Sequence, residues 1–225
     1  MYLSRLFLNP QSAAVRQDLG DCQALHRTLM RAFPEEGGVS DARARWGVLH
    51  RVDEDPGTGR LSLLAQSLVE PDWSRLPPGY YMGLPVTKSI DRQLAAIQSG
   101  LVLAFRLRAN PTRKIDTKTG PDGKKRNGQR VELRRDEDRI AWLKEKGRAG
   151  GFALLTVDLN PAVPDVRIHI GRSRGSHPRG RLTFGAVTFE GRLQVTDAER
   201  FLETLRHGIG SAKAYGFGLL SIARG

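Results

Sequence analysis

The order of elements in this chain predicts an α+β fold made of two tandem units, each laid out as strand, helix, strand, strand. Three observations carry that expectation. An alternating apolar segment opens the chain and leads into a helical period and two more strand-like runs. The same order returns after residue 100. A capped helix and a short apolar strand then close the second unit.

In the first unit, Tyr2 to Leu8 alternates and stops at the turn Asn9-Pro10, as a strand does. A helix is predicted from Asp21 to Phe33, because Asp21 is a fair N-cap and Pro34 a stop signal. Strands are predicted near Arg45 to Val52 and Leu61 to Val69, joined by the turn Glu54-Asp-Pro-Gly-Thr-Gly59, where Pro and Gly each fix a turn dihedral. Pro71 to Thr87 reads as irregular or short elements. This is most of a split β-α-β unit of the ferredoxin-like kind. In the second unit Leu101 to Arg108 alternates as a strand, and Asp136 to Arg148 reads as a helix with Ile140, Trp142 and Leu143 apolar. Strands follow near Phe152 to Val157, Val166 to Gly171 and Leu182 to Val195. Thr196-Asp-Ala-Glu199 has the spacing of a capping box, and Phe201, Leu202 and Leu205 carry a helix to about His207, where Gly208 stops it. Leu219 to Ile222 is the last strand. The expectation is therefore two tandem ferredoxin-like (RRM-like, βαββαβ) domains, residues 1–92 and 93–225. It rests on element order, since no internal sequence repeat supports it.

Charge restricts the partner. The 225 residues hold 36 Lys and Arg against 24 Asp and Glu, a formal net charge of +12, with a pI near 10.5. Such an excess creates an electropositive field suited to a polyanion. No apolar run approaches the ~20 residues needed to span a bilayer, and no signal-peptide pattern opens the sequence, which disfavours a membrane role. The lone Cys22 has no disulfide partner in the chain, and no Cys/His cluster has zinc spacing. A reducing cytoplasm, no metal and no cofactor are expected.

Two segments concentrate the charge. Asn110 to Arg130 has almost no large apolar residue and carries Arg113, Lys114, Lys118, Lys124, Lys125, Arg126 and Arg130, a basic loop. Gly171-Arg-Ser-Arg-Gly-Ser-His-Pro-Arg-Gly-Arg181 is an arginine-rich loop between two strands, suited to a hairpin tip. Charge runs are often plain solvated surface. Two of them on one basic chain favour phosphate binding, for which the planar fork of arginine is well shaped.

The glycine-dense end, Gly208-Ile-Gly-Ser-Ala-Lys-Ala-Tyr-Gly-Phe-Gly218, lets backbone approach a partner closely. Nucleotide-binding glycine loops follow a strand and open a helix, whose N-terminal amides hold phosphate. Here a helix C-terminus leads into the loop, which disfavours a mononucleotide site. The plain alternative is that Gly208, Gly210, Gly216 and Gly218 only let a helix turn and pack against the last strand.

Proton transfer near neutral pH without a metal points to histidine. His50 and His169 fall in strands, His177 at a loop tip and His207 at a helix end. His26 stands at the border of its helix. At about 100° per residue, Cys22, Leu25, Leu29, Ala32 and Phe33 share one arc, with Arg27 and Arg31 on the far side and Gln23 at one edge. A histidine there is half-desolvated and still reaches a bound phosphate, although a border histidine satisfied by a neighbour or by water is the plainer reading.

The strand ending in Asn9-Pro10, the helix Leu25-His-Arg-Thr-Leu29, Glu70-Pro-Asp-Trp-Ser74, Arg106-Leu-Arg-Ala-Asn-Pro111, Phe189-Glu-Gly-Arg-Leu193 and Gly208 through Leu220 together resemble the CasE family, in order and along the whole chain. These are the CRISPR-RNA processing endoribonucleases of the type I-E Cascade surveillance complex, within the RAMP superfamily. The resemblance implies tandem ferredoxin-like domains, metal-independent cutting of pre-crRNA on the 3′ side of the repeat stem-loop, and retention of the crRNA hairpin beside other Cascade subunits. In such chemistry the 2′-hydroxyl attacks the adjacent phosphate, giving a 2′,3′-cyclic phosphate and a 5′-hydroxyl. His26 matches the family's catalytic histidine. The family often has a tyrosine three residues earlier, where this chain has Gln23, which can hold the 2′-hydroxyl but not take its proton. Arg27 or Arg31 would then offset charge on the phosphate. Arg172, Arg174, Arg179 and Arg181 are the first choice for gripping the stem, and Arg113, Lys114, Lys124, Lys125 and Arg126 serve RNA or a neighbouring subunit. The glycine loop would line the RNA path, with Lys213 touching phosphate. A non-catalytic hairpin-binding subunit is the competing reading, and a nucleotide enzyme the weakest.

Overall fold

The computed structural model describes residues 1–35, 42–115, 129–157, 160–177 and 180–224. The first unit runs β1 (Tyr2–Leu8), α1 (Ala13–Gly20), α2 (Cys22–Met30), a short α3 (Ala42–Arg45), β2 (Leu49–Glu54), β3 (Leu61–Ser67), a 3-10 turn at Trp73–Arg75 and β4 (Tyr81–Ser89). Its sheet is antiparallel in the order β2-β3-β1-β4, the ferredoxin-like arrangement. Alternation in β1 turns Ser4, Leu6 and Leu8 inward. There Leu6 and Leu8 meet Leu25 and Leu29 of α2, Leu63 and Ala65 of β3, Trp73 and Tyr80 in one buried core.

The second unit begins with α4 (Asp91–Ala95), whose Leu94 is buried in the second core. It continues through β5 (Val102–Ala109), the paired strands β6 (Thr112–Ile115) and β7 (Gln129–Glu132), α5 (Asp136–Ala149), β8 (Phe152–Leu154), β9 (Thr156–Val157), β10 (Asn160–Pro164), β11 (Val166–His177), β12 (Gly180–Val195), α6 (Ala198–His207), a 3-10 turn at Lys213–Tyr215 and β13 (Leu220–Arg224). The main sheet is ordered β11-β12-β5-β13, and β8 pairs with the end of β12 beyond β11. This is a second ferredoxin-like sheet with one edge position shared by two strands. Phe105, Leu107, Phe152, Phe189, Phe201 and Leu205 fill its core. No helix among the described residues is long and apolar enough to cross a membrane.

Several local expectations need correction. The helix α1 is additional to the expected elements: it buries only Val15 and Asp18, so it shows almost no apolar period. The helix α2 ends at Met30, not Phe33, with Arg31 as its C-cap, and β2 starts at Leu49 because Ala42–Arg45 is helical. The irregular stretch to Thr87 contains a full edge strand, β4; Gly83 and Pro85 sit at its register shift against β1, where an unpaired edge tolerates proline. The N-cap of α6 is Asp197, whose side chain accepts from the Arg200 amide at 3.1 Å, and not Thr196. Both ends of the basic stretch from Asn110 to Arg130 are strands, β6 and β7, and the arginine-rich loop is largely a ribbon, β11 and β12 pairing out to His177 and Gly180.

The two units meet along β2, β3, β5 and β13. Arg51 is the main bolt: its Nε donates to both Asp53 carboxylate oxygens at 2.8 and 2.9 Å, and its Nη1 to the carbonyls of Arg106 and Leu219 and to Ser221 Oγ, at 3.3, 3.4 and 3.0 Å. Gln66 Nε2 adds a buried 2.7 Å bond to the Leu205 carbonyl. These bonds fix where the second unit stands relative to α2.

Candidate active site and nucleic-acid interface

The site is built outward from Asp21. Its Oδ1 caps α2, accepting from the Gln23 and Ala24 amides at 2.9 and 3.3 Å, and also accepts the Ser176 amide of β11 at 3.2 Å. The Ser176 hydroxyl donates to Oδ2. Burial works against this carboxylate's charge, but the hydrogen bonds from Ser176, Gln23 and Ala24 outweigh it and hold its pKa below the ordinary value. One side chain thus starts the helix carrying His26 and fastens the arginine ribbon to it. The contact is close because residue 175 is glycine; a Cβ there would stand 2.8 Å from Cys22 Sγ.

Between α2, β2, β5, the ribbon and the glycine loop lies an open cleft of about 370 Å³. His50, Val52, Arg108, Arg172, Arg174, Tyr215 and Gly216 are among its lining. His26 is half-buried beside it, its ring stacked on that of His50 at 6.4 Å with 12° between planes. His50 is only 1 % exposed. Burial foremost, then the neighbouring charges of His26, Arg108 and Arg43, push its pKa down to about 3, so at neutral pH it is an uncharged imidazole. Neither of its ring nitrogens has a hydrogen-bond partner among the described residues, and the same holds for Gln23 Oε1. The Cys22 thiol, raised in pKa chiefly by burial, stays protonated.

Arg172, Arg174 and Arg181 share one face of the ribbon: residues 172 and 174 are two apart on β11, and Arg181 pairs opposite Ser176. All three are exposed. Arg27 and Arg31 are exposed as well, turned about 100° and 140° round α2 from His26, and they do not line the cleft. Arg113 and Lys114 are exposed on β6 and do not line the cleft. Lys118, Lys124, Lys125, Arg126 and Arg179 lie outside the described residues.

The glycine loop packs as tightly as its composition allows. A Cβ on Gly208 would meet the Gly218 carbonyl at 2.7 Å, and Gly208, Gly210, Gly216 and Gly218 all have positive φ. Lys213 is half-buried, its pKa lowered by burial and by Arg43 and Lys146. Beyond it, Gly210, Asn110, Arg130, Trp142 and Lys146 line a second, smaller hollow.

A family model described as "CRISPR associated protein" matches residues 1–224. The chain belongs to that family. Within it the chain is 38% identical over 227 residues to the CRISPR-associated endoribonuclease Cse3 of Thermus thermophilus, covering 99% of this chain and 100% of the relative. It is 36% identical over 226 residues to the CRISPR system Cascade subunit CasE of Escherichia coli, covering 99% of each. Among solved structures, Cse3 bound to a 19 nt RNA superimposes with a TM-score of 0.80 at 36% identity, over 99% of this chain and 100% of that one. Membership in the CasE family is thus shared along the whole chain, in fold as in sequence.

The sequence singled out His26, Gln23 and the ribbon arginines; of these, Arg172 and Arg174 line the cleft, and His26 stacks on His50, which lines it too. It did not single out His50 or Arg108. What marks them is position rather than type: Arg108 closes an alternating strand just before Asn110-Pro111, and His50 begins one.

Proposed function

We propose that this chain is a CRISPR-RNA processing endoribonuclease, cutting pre-crRNA on the 3′ side of the repeat stem-loop and holding the crRNA hairpin afterwards as a Cascade subunit, in the cytoplasm and away from membranes. The observation that carries the reading is His26, half-buried at a cleft whose other wall is the arginine ribbon, with one carboxylate, Asp21, tying helix to ribbon. Relatives named as a CRISPR endoribonuclease and a Cascade subunit support it.

In this reading Arg172, Arg174 and Arg181 grip the stem phosphates, because double-stranded RNA is recognised mainly by shape and backbone. Arg27 and Arg31 meet RNA on the solvent side of α2, and Lys213 meets it where the glycine loop borders the strand. The 2′-hydroxyl loses its proton as O2′ bonds to phosphorus; the bond from phosphorus to O5′ breaks and the leaving oxygen takes a proton. His26 supplies one of these transfers, worth ~10²-fold to 10⁴-fold. Gln23 holds the 2′-hydroxyl in line. The two units are divided near residue 92, a reading supported by their separate cores, with Leu94 in the second.

Incubation of a repeat hairpin with wild type and His26→Ala in EDTA tests the reading. Wild type is expected to leave a 2′,3′-cyclic phosphate and a 5′-hydroxyl, and His26→Ala to bind without cutting; loss of cutting with chelator would reject metal independence. Gln23, where a second proton carrier would stand, favours the alternative of a non-catalytic hairpin binder, which the appearance of a cyclic phosphate dependent on His26 would exclude.

A further inference from the structure

Arg108 carries a positive charge that Asp53 favours only from beyond ion-pair distance. Its guanidinium sits on the cleft wall, 5.2 Å from the Phe217 ring centroid, and burial lowers its pKa below the usual arginine value. It makes no ion pair with any described carboxylate. The carboxylates around the cleft are occupied: Asp53, which acts on Arg108, by Arg51 and Arg106, Asp18 in the cleft lining by the Tyr80 hydroxyl at 2.7 Å, and Asp21 by α2 and Ser176. A desolvated cation without an ion pair is costly, and such groups cluster at sites that take an anion.

A second orphan faces the same spot. His50 is buried with both ring nitrogens unpartnered, each a lost bond of about 1–3 kcal/mol. A Cβ on Gly216 would stand 3.5 Å from His50 Nε2 and 3.9 Å from Arg108 Nη1, so the two nitrogens border one patch of backbone that glycine leaves open. The Arg108 backbone is pinned there, its carbonyl accepting the Gly218 amide at 2.8 Å.

We propose that Arg108 and His50, over Gly216, form the seat for the phosphodiester that is cut, Arg108 holding its non-bridging oxygens and the neutral His50 donating one N–H to them. This rests on the endoribonuclease reading and gives it the charge-neutralising group that Arg27 and Arg31, outside the cleft, do not supply there. Arg108 is then a catalytic residue, because negative charge grows on those oxygens as O2′ attacks. His50, stacked behind His26, serves it without competing for the proton.

The test uses the full chain, a repeat hairpin, and the same hairpin with a 2′-deoxy sugar at the cut site. Under single turnover, Arg108→Gln is expected to cut roughly 10²-fold more slowly. Its affinity for the uncut hairpin should show a salt slope shallower by about 0.7–0.9, one phosphate contact. Arg108→Lys, which keeps the charge and loses the fork, should recover the slope and only part of the rate. His50→Phe, which keeps the ring and loses its nitrogens, should cut about tenfold more slowly. Wild-type cutting by Arg108→Gln overturns the seat while leaving the endoribonuclease reading intact. An unchanged salt slope overturns the seat even for a protein that only binds. If Arg108→Gln does not fold, wild-type cutting by Arg108→Lys does the same.

Discussion

Two neighbouring arginines at the junction between the units have opposite surroundings. Arg51 is buried, and its Nε and Nη1 are taken up by a carboxylate, two carbonyls and a hydroxyl. Arg108, on the strand beside that junction, is desolvated, lies over the Phe217 ring and makes no ion pair with a described carboxylate. The same contrast holds within β2, where His50 is orphaned one residue before Arg51. Satisfied polar groups hold the two units together, while Arg108 and the unpartnered His50 face the cleft. The difference separates a charge used to join the units from one left over at the cleft.

Replacing Arg51 should break the junction. Arg51→Ala takes from Asp53 its hydrogen-bonding arginine, leaving only Arg106 at 3.7 Å, and removes a donor from two carbonyls, so a loss of about 3–5 kcal/mol is expected in urea unfolding. Arg108→Met removes a charge that had no partner, so stability should be unchanged or higher by about 0.5–2 kcal/mol. If both variants lose equally, Arg108 is structural and the contrast fails.

Acid should act through the other orphan. The His50 pKa is about 3 in the folded chain against an ordinary 6.5. Between those values the unfolded chain binds a proton that the native one refuses, so stability present above pH 6.5 is lost as pH falls through the window toward 3, by up to about 1.4 kcal/mol per pH unit. His26, Arg43 and Arg108 all oppose protonation of the ring. The His50→Phe variant should therefore unfold over a flatter acid range than wild type; parallel curves would show that His50 is not the group responsible.

The sequence carries the frame of this fold and half of its site. Strand β1 is legible to the residue, because Ser4, Leu6 and Leu8 alternate inward and Asn9-Pro10 ends it. His26 is legible because helical period alone puts it on a border. The ribbon is not: Gly171 to Arg181 has polar residues on both faces, so it lacks the alternation that marks a half-buried strand, and only pairing with β12 makes it one. Arg108 and His50 are illegible for a different reason. Their distinction is the absence of partners, and partners are assigned by tertiary packing.

Glycine substitutions sharpen the contrast on a finer scale. Gly208→Ala brings a Cβ to 2.7 Å from the Gly218 carbonyl at positive φ, so both clash and strain act on a packing contact. Gly216→Ala meets nothing closer than 3.5 Å and should cost only the backbone term, about 1–2 kcal/mol. Thermal melts should rank Gly208→Ala well below Gly216→Ala, whereas hairpin cutting per folded molecule should rank them the other way.

The smallest expected effect on folding belongs to the ribbon. Arg172 and Arg174 are exposed on β11 and form no ion pair with a described carboxylate, so their joint replacement by alanine should move stability by no more than about 0.5 kcal/mol. Hairpin binding should respond in proportion to phosphates released. Each lost contact flattens the dependence of affinity on salt by about 0.7–0.9, and the double variant should lose nearly twice that. A weakened affinity with an unchanged slope would mean that these arginines read something other than phosphate. An unchanged affinity would leave the cleft, with Arg108 at its wall, as the electrostatic anchor.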